Sequence, residues 1–180
     1  KTTSGVDPEV VGVEGTVDGG TFRFKAAHFE WLVNFAEPLG LTFNDIGKRK
    51  HGNPATLFFC DELIRIYGSD DFSTSAGASF GVENWANAGF WKQIIQGLES
   101  YNKQIKSNLN LGFFKWHDAL EGQHAQHTWD ELEEIFNEKD FNQAKFIKGG
   151  NDILDGVAAF WEGLDQNRIA KYWRPLTKYA

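Results

Sequence analysis

The residues best suited to chemistry in this chain are two histidines and a glutamate in one short segment. His117, Glu121 and His124 stand at positions i, i+4 and i+7. Because an α-helix turns by about 100° per residue, side chains at this spacing project from one stripe of a helix. The same stripe holds Phe113 and Leu120. The sequence therefore predicts that three titratable groups face the hydrophobic core.

Burial of these three groups indicates a metal ion. Two imidazoles and a carboxylate cost free energy in a core unless each has a partner. A transition metal would be one partner for all three, and neutral imidazole nitrogens and carboxylate oxygens suit iron, manganese or zinc. The alternative is a set of core histidines that form hydrogen bonds with each other and with Glu121. Three ligand-type residues on one apolar face favour the metal.

Two further residues are candidates to complete the site from other helices. Glu83 shares a helical stripe with Phe90 and Ile94, and His28 lies in an apolar segment that includes Trp31. Metal sites in helical proteins take their ligands from facing helices. The three helices together offer three histidines and two carboxylates, which is close to a complete set for two metal ions.

The hydrophobic periodicity predicts the helices that would position these groups. The predicted helices span residues 22–37, 54–68, 81–104, 108–127, 128–136 and 140–167. Thr128, with Glu131 three residues later, is a capping-box pattern that predicts a helix start, and Asp140 is the predicted N-cap of the last helix. Residues 69–79 are rich in Ser, Asp, Gly and Ala, which predicts a surface loop.

Composition limits the class of protein. Length 180, 41% hydrophobic residues and 16 Phe, 7 Trp and 4 Tyr predict one all-α globular domain over residues 1–180, with residues 1–21 irregular or incomplete. The net charge of −7 argues against binding to nucleic acid or to an anionic membrane. No apolar run is long enough to cross a bilayer, and one cysteine cannot form an internal disulfide. We therefore expect a cytoplasmic protein.

The triplet His117-x-x-x-Glu121-x-x-His124 resembles the last-helix metal motif of the heme-oxygenase-like diiron oxidases, the superfamily that contains CADD and is structurally related to TenA. That family takes a carboxylate and a histidine from an early helix, a glutamate from a middle helix and the triplet from a later one. His28 and Glu83 precede the triplet in the same order, with separations of 55 residues (28 to 83) and 34 residues (83 to 117). Only the triplet is specific.

The resemblance implies an all-α, heme-oxygenase-like (CADD/TenA-like) helical bundle that binds two iron ions, or manganese and iron, and no heme. The ligands that it implies are His28, Glu83, His117, Glu121 and His124. In the family an early carboxylate stands seven residues before the histidine, where this chain has Thr21. Glu14 is a weak candidate for that ligand.

The implied activity is that of a non-heme oxidase or oxygenase. It would activate molecular oxygen on a small amino-acid-like or fatty-acid-like substrate. Phe90, Phe113 and Trp31 would shape the substrate pocket. The implied partners are the small-molecule substrate, molecular oxygen and a second copy of the chain in a homodimer, and neither nucleic acid nor a membrane is expected.

Three alternative functions stay open at this point. A TenA-like hydrolase would need a cysteine nucleophile, for which Cys60 is the sole candidate, although a buried and inert thiol is the commoner role for such a residue. A heme protein would use one histidine, such as His28, as its axial ligand. A CADD-like helical interaction protein would carry out no catalysis.

Overall fold

The computed structural model of this protein describes residues 17–18, 21–22 and 28–172, and side chains from residue 29 to residue 171. Two short strands, β1 (Val17–Asp18) and β2 (Thr21–Phe22), pair antiparallel with Val17 opposite Phe22. Within residues 28–172 every regular element is helical. The prediction of an all-α protein is confirmed, whereas the heme-oxygenase-like arrangement of the helices stays a prediction.

The described part of the chain contains six α-helices. They are α1 (His28–Ala36), α2 (Pro54–Tyr67), α3 (Phe72–Trp85), α4 (Trp91–Ile105), α5 (Gly112–Ile135) and α6 (Gln143–Tyr172). A π-type turn, Ala86–Phe90, joins α3 directly to α4, and the chain is kinked within it at Gly89, whose φ is +110°. Short 3-10 turns lie at Glu37–Leu39 and Arg49–His51. None of the described helices is both long and apolar enough to cross a membrane.

The chain divides into two compact units. The first unit consists of Lys1–Lys48 and Glu83–Trp129, and the second consists of Arg49–Val82 and Asp130–Ala180. Helices α3 and α5 contribute residues to both units. The single domain over residues 1–180 stays a prediction.

The core of the first unit lies on α5. Trp116 and Leu120 are buried there, and Trp31 of α1 packs edge-to-face on Trp116 with ring centroids 5.4 Å apart. Phe35 of α1 and Phe114 of α5 form a second edge-to-face pair at 5.0 Å. This aromatic packing fixes α5 against α1, which is the support that a site on the next turns of α5 needs.

The core of the second unit depends on a close approach of α3 and α6. Ile66, Ala78 and Ile153 are completely buried in it. A Cβ atom at Gly77 would overlap the carbonyl oxygen of Phe146, and one at Gly149 would overlap that of Thr74. The glycine pair inside α6 therefore serves packing, because only glycine allows the two backbones to touch.

The start of α3 shows that the surface loop predicted at residues 69–79 is wrong. Helix α3 begins at Phe72, and the Asp71 carboxylate caps it by accepting a hydrogen bond from the backbone N–H of Thr74 at 3.0 Å. Ser73 and Ala78 are fully buried. The small residues that are typical of a loop are here the ones that let α3 pack closely.

Two predicted helix starts are also wrong. Helix α5 runs through Thr128 without a break, because the Thr128 hydroxyl donates to the carbonyl oxygen of Ala125 at 2.8 Å and does not cap a new helix. The first helix begins at His28, and Phe22 lies in β2.

The last helix has a different cap from the predicted Asp140. The Asn142 side-chain oxygen accepts a hydrogen bond from the backbone N–H of Lys145 at 3.0 Å. We expect Asn142→Ala to lower the free energy of unfolding by about 1 kcal/mol, since a helix N–H loses its partner. Urea denaturation would measure this decrease in the free energy of unfolding. The matched substitution Asp140→Ala should change stability by less than about 0.5 kcal/mol, as exposed positions usually do. A larger loss for Asp140→Ala would contradict this assignment.

Candidate metal centre

Three predicted ligands come together in the first unit. Glu83, near the end of α3, and Glu121 and His124 of α5 each offer a ligand atom, and these atoms all lie within 4.8 Å of one another. Glu121 is buried with 4% of its surface exposed, and the side chains of His124 and Glu83 are 18% and 31% exposed. Nδ1 of His124 lies 3.6 Å from Oε2 of Glu83. These three residues form a group that could hold a metal ion.

The π-helical turn between α3 and α4 helps to assemble this group. Glu83 precedes the turn and Trp91 follows it, eight residues later. The chain bends at Gly89, and the side chains of Glu83 and Trp91 both reach Glu121. Gly89 permits the turn because its φ of +110° is disfavoured for other residues.

The Glu121 carboxylate has two differently placed oxygens. Its Oε2 accepts a hydrogen bond from the indole N–H of Trp91 at 2.6 Å. Its Oε1 is buried, and no described residue donates to it. Burial raises the pKa of Glu121 to about 7. The hydrogen bond from Trp91 lowers the pKa, while a hydrogen bond with the Glu83 carboxylate and its negative charge raise it, so that without a metal ion the two carboxylates would share a proton.

The donor set fits a divalent transition metal. A cation next to Oε1 would supply the partner that this buried oxygen needs and would offset the repulsion between the two carboxylates. Two carboxylate oxygens and one imidazole nitrogen are suitable ligands for ferrous iron or manganese. Three protein ligands also leave coordination positions for exchangeable molecules, which is typical of catalytic rather than structural metal sites.

His117 lies on the same helix but is not part of the three-residue group. Its ring packs against Trp91, Phe113 and Trp116 with centroid distances of 4.8, 4.2 and 4.9 Å. Its Nδ1 donates to the carbonyl oxygen of Phe113 at 2.7 Å. Because a carbonyl can only accept, Nδ1 carries the proton, and in the neutral ring the lone pair is on Nε2. The role of His117 as a ligand stays a prediction.

The two ligands predicted before residue 29 lie wholly or partly outside the described residues. His28 begins α1, but its side chain lies outside the described residues, and so does all of Glu14. The ligands predicted for a second ion therefore stay predictions.

The residues predicted to shape a pocket lie in two places. Phe90 and Phe113 both contact the ring of Trp91, at 4.9 and 6.2 Å. Trp31 instead packs against Trp116. Phe90 and Phe113 thus contact Trp91, which donates the hydrogen bond to Glu121. The substrate pocket itself stays a prediction.

Trp91 is the residue of the centre that sequence analysis missed. Trp91 stands eight residues after Glu83, a spacing that belongs to the same broad face of a helix. An indole is not a metal ligand, so the search for ligand-type residues did not select it.

Cys60 belongs to the second unit. It lies on α2, is partly exposed and is not part of the carboxylate and histidine group of the first unit. Its use as a nucleophile stays a prediction.

Comparisons with protein families, with curated proteins and with solved structures found no match to this chain.

Proposed function

We propose that this protein is a non-heme metal-dependent oxidase in which Glu83, Glu121 and His124 hold an iron or manganese ion. The observation that carries the proposal is that Glu83, Glu121 and His124 bring their ligand atoms within 4.8 Å of one another around the buried carboxylate of Glu121. The bound ion would supply a reducing centre with open positions for molecular oxygen. The motif His117-x-x-x-Glu121-x-x-His124, which resembles that of the diiron oxidases, supports the oxygen chemistry.

The residues of the chain have separate tasks in this proposal. Glu121 supplies a buried carboxylate oxygen to the ion. Glu83 adds a second negative charge, so that a divalent cation is neutralised by the two carboxylates. His124 contributes a neutral nitrogen. The low exposure of Glu121 keeps bulk water away, which strengthens electrostatic interactions at the centre.

The proposal extends to a second ion and to the reaction. His28 and His117 are the remaining candidates to bind the second ion, as the resemblance to the diiron oxidases implies. The substrate class that it implies is a small amino-acid-like or fatty-acid-like molecule. A homodimer would be the assembly.

Metal titration tests the three-residue group directly. We expect the wild-type protein to bind at least one equivalent of Fe²⁺ under anaerobic conditions, measured by calorimetry and by metal analysis. His124→Ala and Glu83→Ala should each weaken binding by about a hundredfold or more, because each removes a ligand. His127→Ala is the matched control, since His127 is exposed on the same helix and outside the group.

The oxidase activity is tested separately. Oxygen added to the Fe²⁺-loaded protein should be consumed, as an oxygen electrode would show, and the His124→Ala protein should consume none beyond free Fe²⁺. Wild-type protein that binds no Fe²⁺, or binds it as tightly after His124→Ala, would contradict the metal site. Tight binding without oxygen consumption would contradict the oxidase alone.

A further inference from the structure

We infer that Trp91 is a positioning residue of this centre, whose indole N–H occupies Oε2 of Glu121 so that the carboxylate binds the ion through Oε1 alone. The inference rests on the proposed metal site and adds how Glu121 coordinates within it.

Trp91 donates a direct hydrogen bond to one oxygen of the Glu121 carboxylate. Its Nε1 lies 2.6 Å from Oε2 of Glu121. If both oxygens chelated the ion, Oε2 would have to share its lone pairs between the ion and the indole. The buried Oε1, to which no described residue donates, has no such competition.

The indole is itself held by the rings around it. Trp91 stacks on His117 at 4.8 Å with an interplanar angle of 31°, and it contacts Phe90 at 4.9 Å. Trp91 is also the first residue of α4, directly after the π turn. These contacts restrict rotation of the indole, so that its N–H points at Glu121 before any ion binds.

One coordination position depends on this arrangement. A carboxylate that binds through one oxygen occupies one position on the ion, whereas chelation would occupy two. By holding Oε2, Trp91 would keep one more position available for an exchangeable molecule. Removal of the N–H should therefore change the coordination geometry as well as the affinity.

Co²⁺ titration of Trp91→Phe tests the inference, because phenylalanine keeps an aromatic ring at this position and removes the N–H. We expect the Co²⁺ dissociation constant to rise by about tenfold to a hundredfold, as when other outer partners of metal ligands are removed. The visible Co²⁺ spectrum should also change, which a loss of folding stability alone would not cause. Trp129→Phe is the control, since the Trp129 indole donates to Asn84 and not to a ligand.

A measurement on the unsubstituted protein covers the case in which Trp91→Phe does not fold. In ¹H–¹⁵N NMR spectra the Trp91 indole proton should resonate far downfield without metal and should stay there when Zn²⁺ is added, because Oε2 is not used for coordination. Its signal should move in Glu121→Gln, and that of Trp129 should not.

The outcomes separate this inference from the proposed metal site. Co²⁺ binding with unchanged affinity and spectrum in Trp91→Phe, or loss of the downfield indole signal on addition of Zn²⁺, would overturn the positioning role and leave the metal site standing. No binding of Co²⁺ or Zn²⁺ to the wild-type protein would overturn both.

Discussion

Gly77→Ala is expected to lower the free energy of unfolding by roughly 3 kcal/mol, at the upper end of the range for overpacked cores. The added methyl group would overlap the carbonyl oxygen of Phe146 on α6. Backbone atoms of a neighbouring helix cannot move aside as a flexible side chain can, so α3 and α6 would have to separate. A loss of this size lowers the melting temperature by roughly 10 °C in a protein of this length. Thermal and urea denaturation would measure both quantities.

Gly97→Ala is the matched control for this prediction. Gly97 lies inside α4, and a Cβ atom there would meet no other atom within 4 Å. Alanine should stabilise the helix at this position by roughly 0.5–1 kcal/mol, because glycine is the poorer helix former. Equal effects of the two substitutions would contradict the close contact of α3 with α6.

Glu121→Gln is expected to stabilise the metal-free protein above pH 7 and to have little effect near pH 4. The folded-state pKa of Glu121 is raised to about 7, from 4.5 for an unperturbed glutamate. The stabilising contribution of protonated Glu121 is complete below pH 4.5 and is lost as the pH rises through 7, because the unfolded chain releases the proton first. The loss is on the order of 2 kcal/mol, because each pKa unit corresponds to about 1.36 kcal/mol while solvent and the interaction with Glu83 reduce the effect of the full shift. Glutamine, which does not ionise, avoids it.

Urea denaturation with a chelator present, from pH 4 to pH 8, would measure this difference. Glu131→Gln is the matched control, since Glu131 is an exposed glutamate on the same helix and its substitution should produce no such trend. A stability difference between Glu121→Gln and wild type that does not vary with pH would contradict the raised pKa.

Helices with local signals were predictable from the sequence, and helices that depend on tertiary contacts were not. Asn53 before Pro54 predicts the start of α2, and the Asn53 side chain does accept a hydrogen bond from Thr56 N–H at 2.7 Å. The start of α3 has small residues, which local propensity assigns to a loop. They are helical because Asp71 caps the helix and because they pack on α6. The cap is a local signal that the prediction passed over, whereas the packing leaves no local pattern.

In the candidate centre, too, the residues with a local signal were predictable and the residue that depends on a tertiary contact was not. Glu121 and His124 were found because their spacing places them on one face of a single helix. Glu83 was found from its own apolar stripe, and the structure does bring it to the other two. Trp91 was missed because it donates a hydrogen bond to Glu121 and offers no ligand atom of its own, and a contact between residues on two helices leaves no pattern in the sequence.

The kink at Gly89 makes the centre depend on a residue that supplies no ligand. Gly89 lies between Glu83 and Trp91, and its φ of +110° is one that residues with a Cβ atom rarely adopt. Any other residue at this position would be strained, and relief of that strain would turn the indole of Trp91 relative to Glu83 although no ligand had been altered. A substitution that leaves every ligand in place would therefore be enough to separate the partners of Glu121.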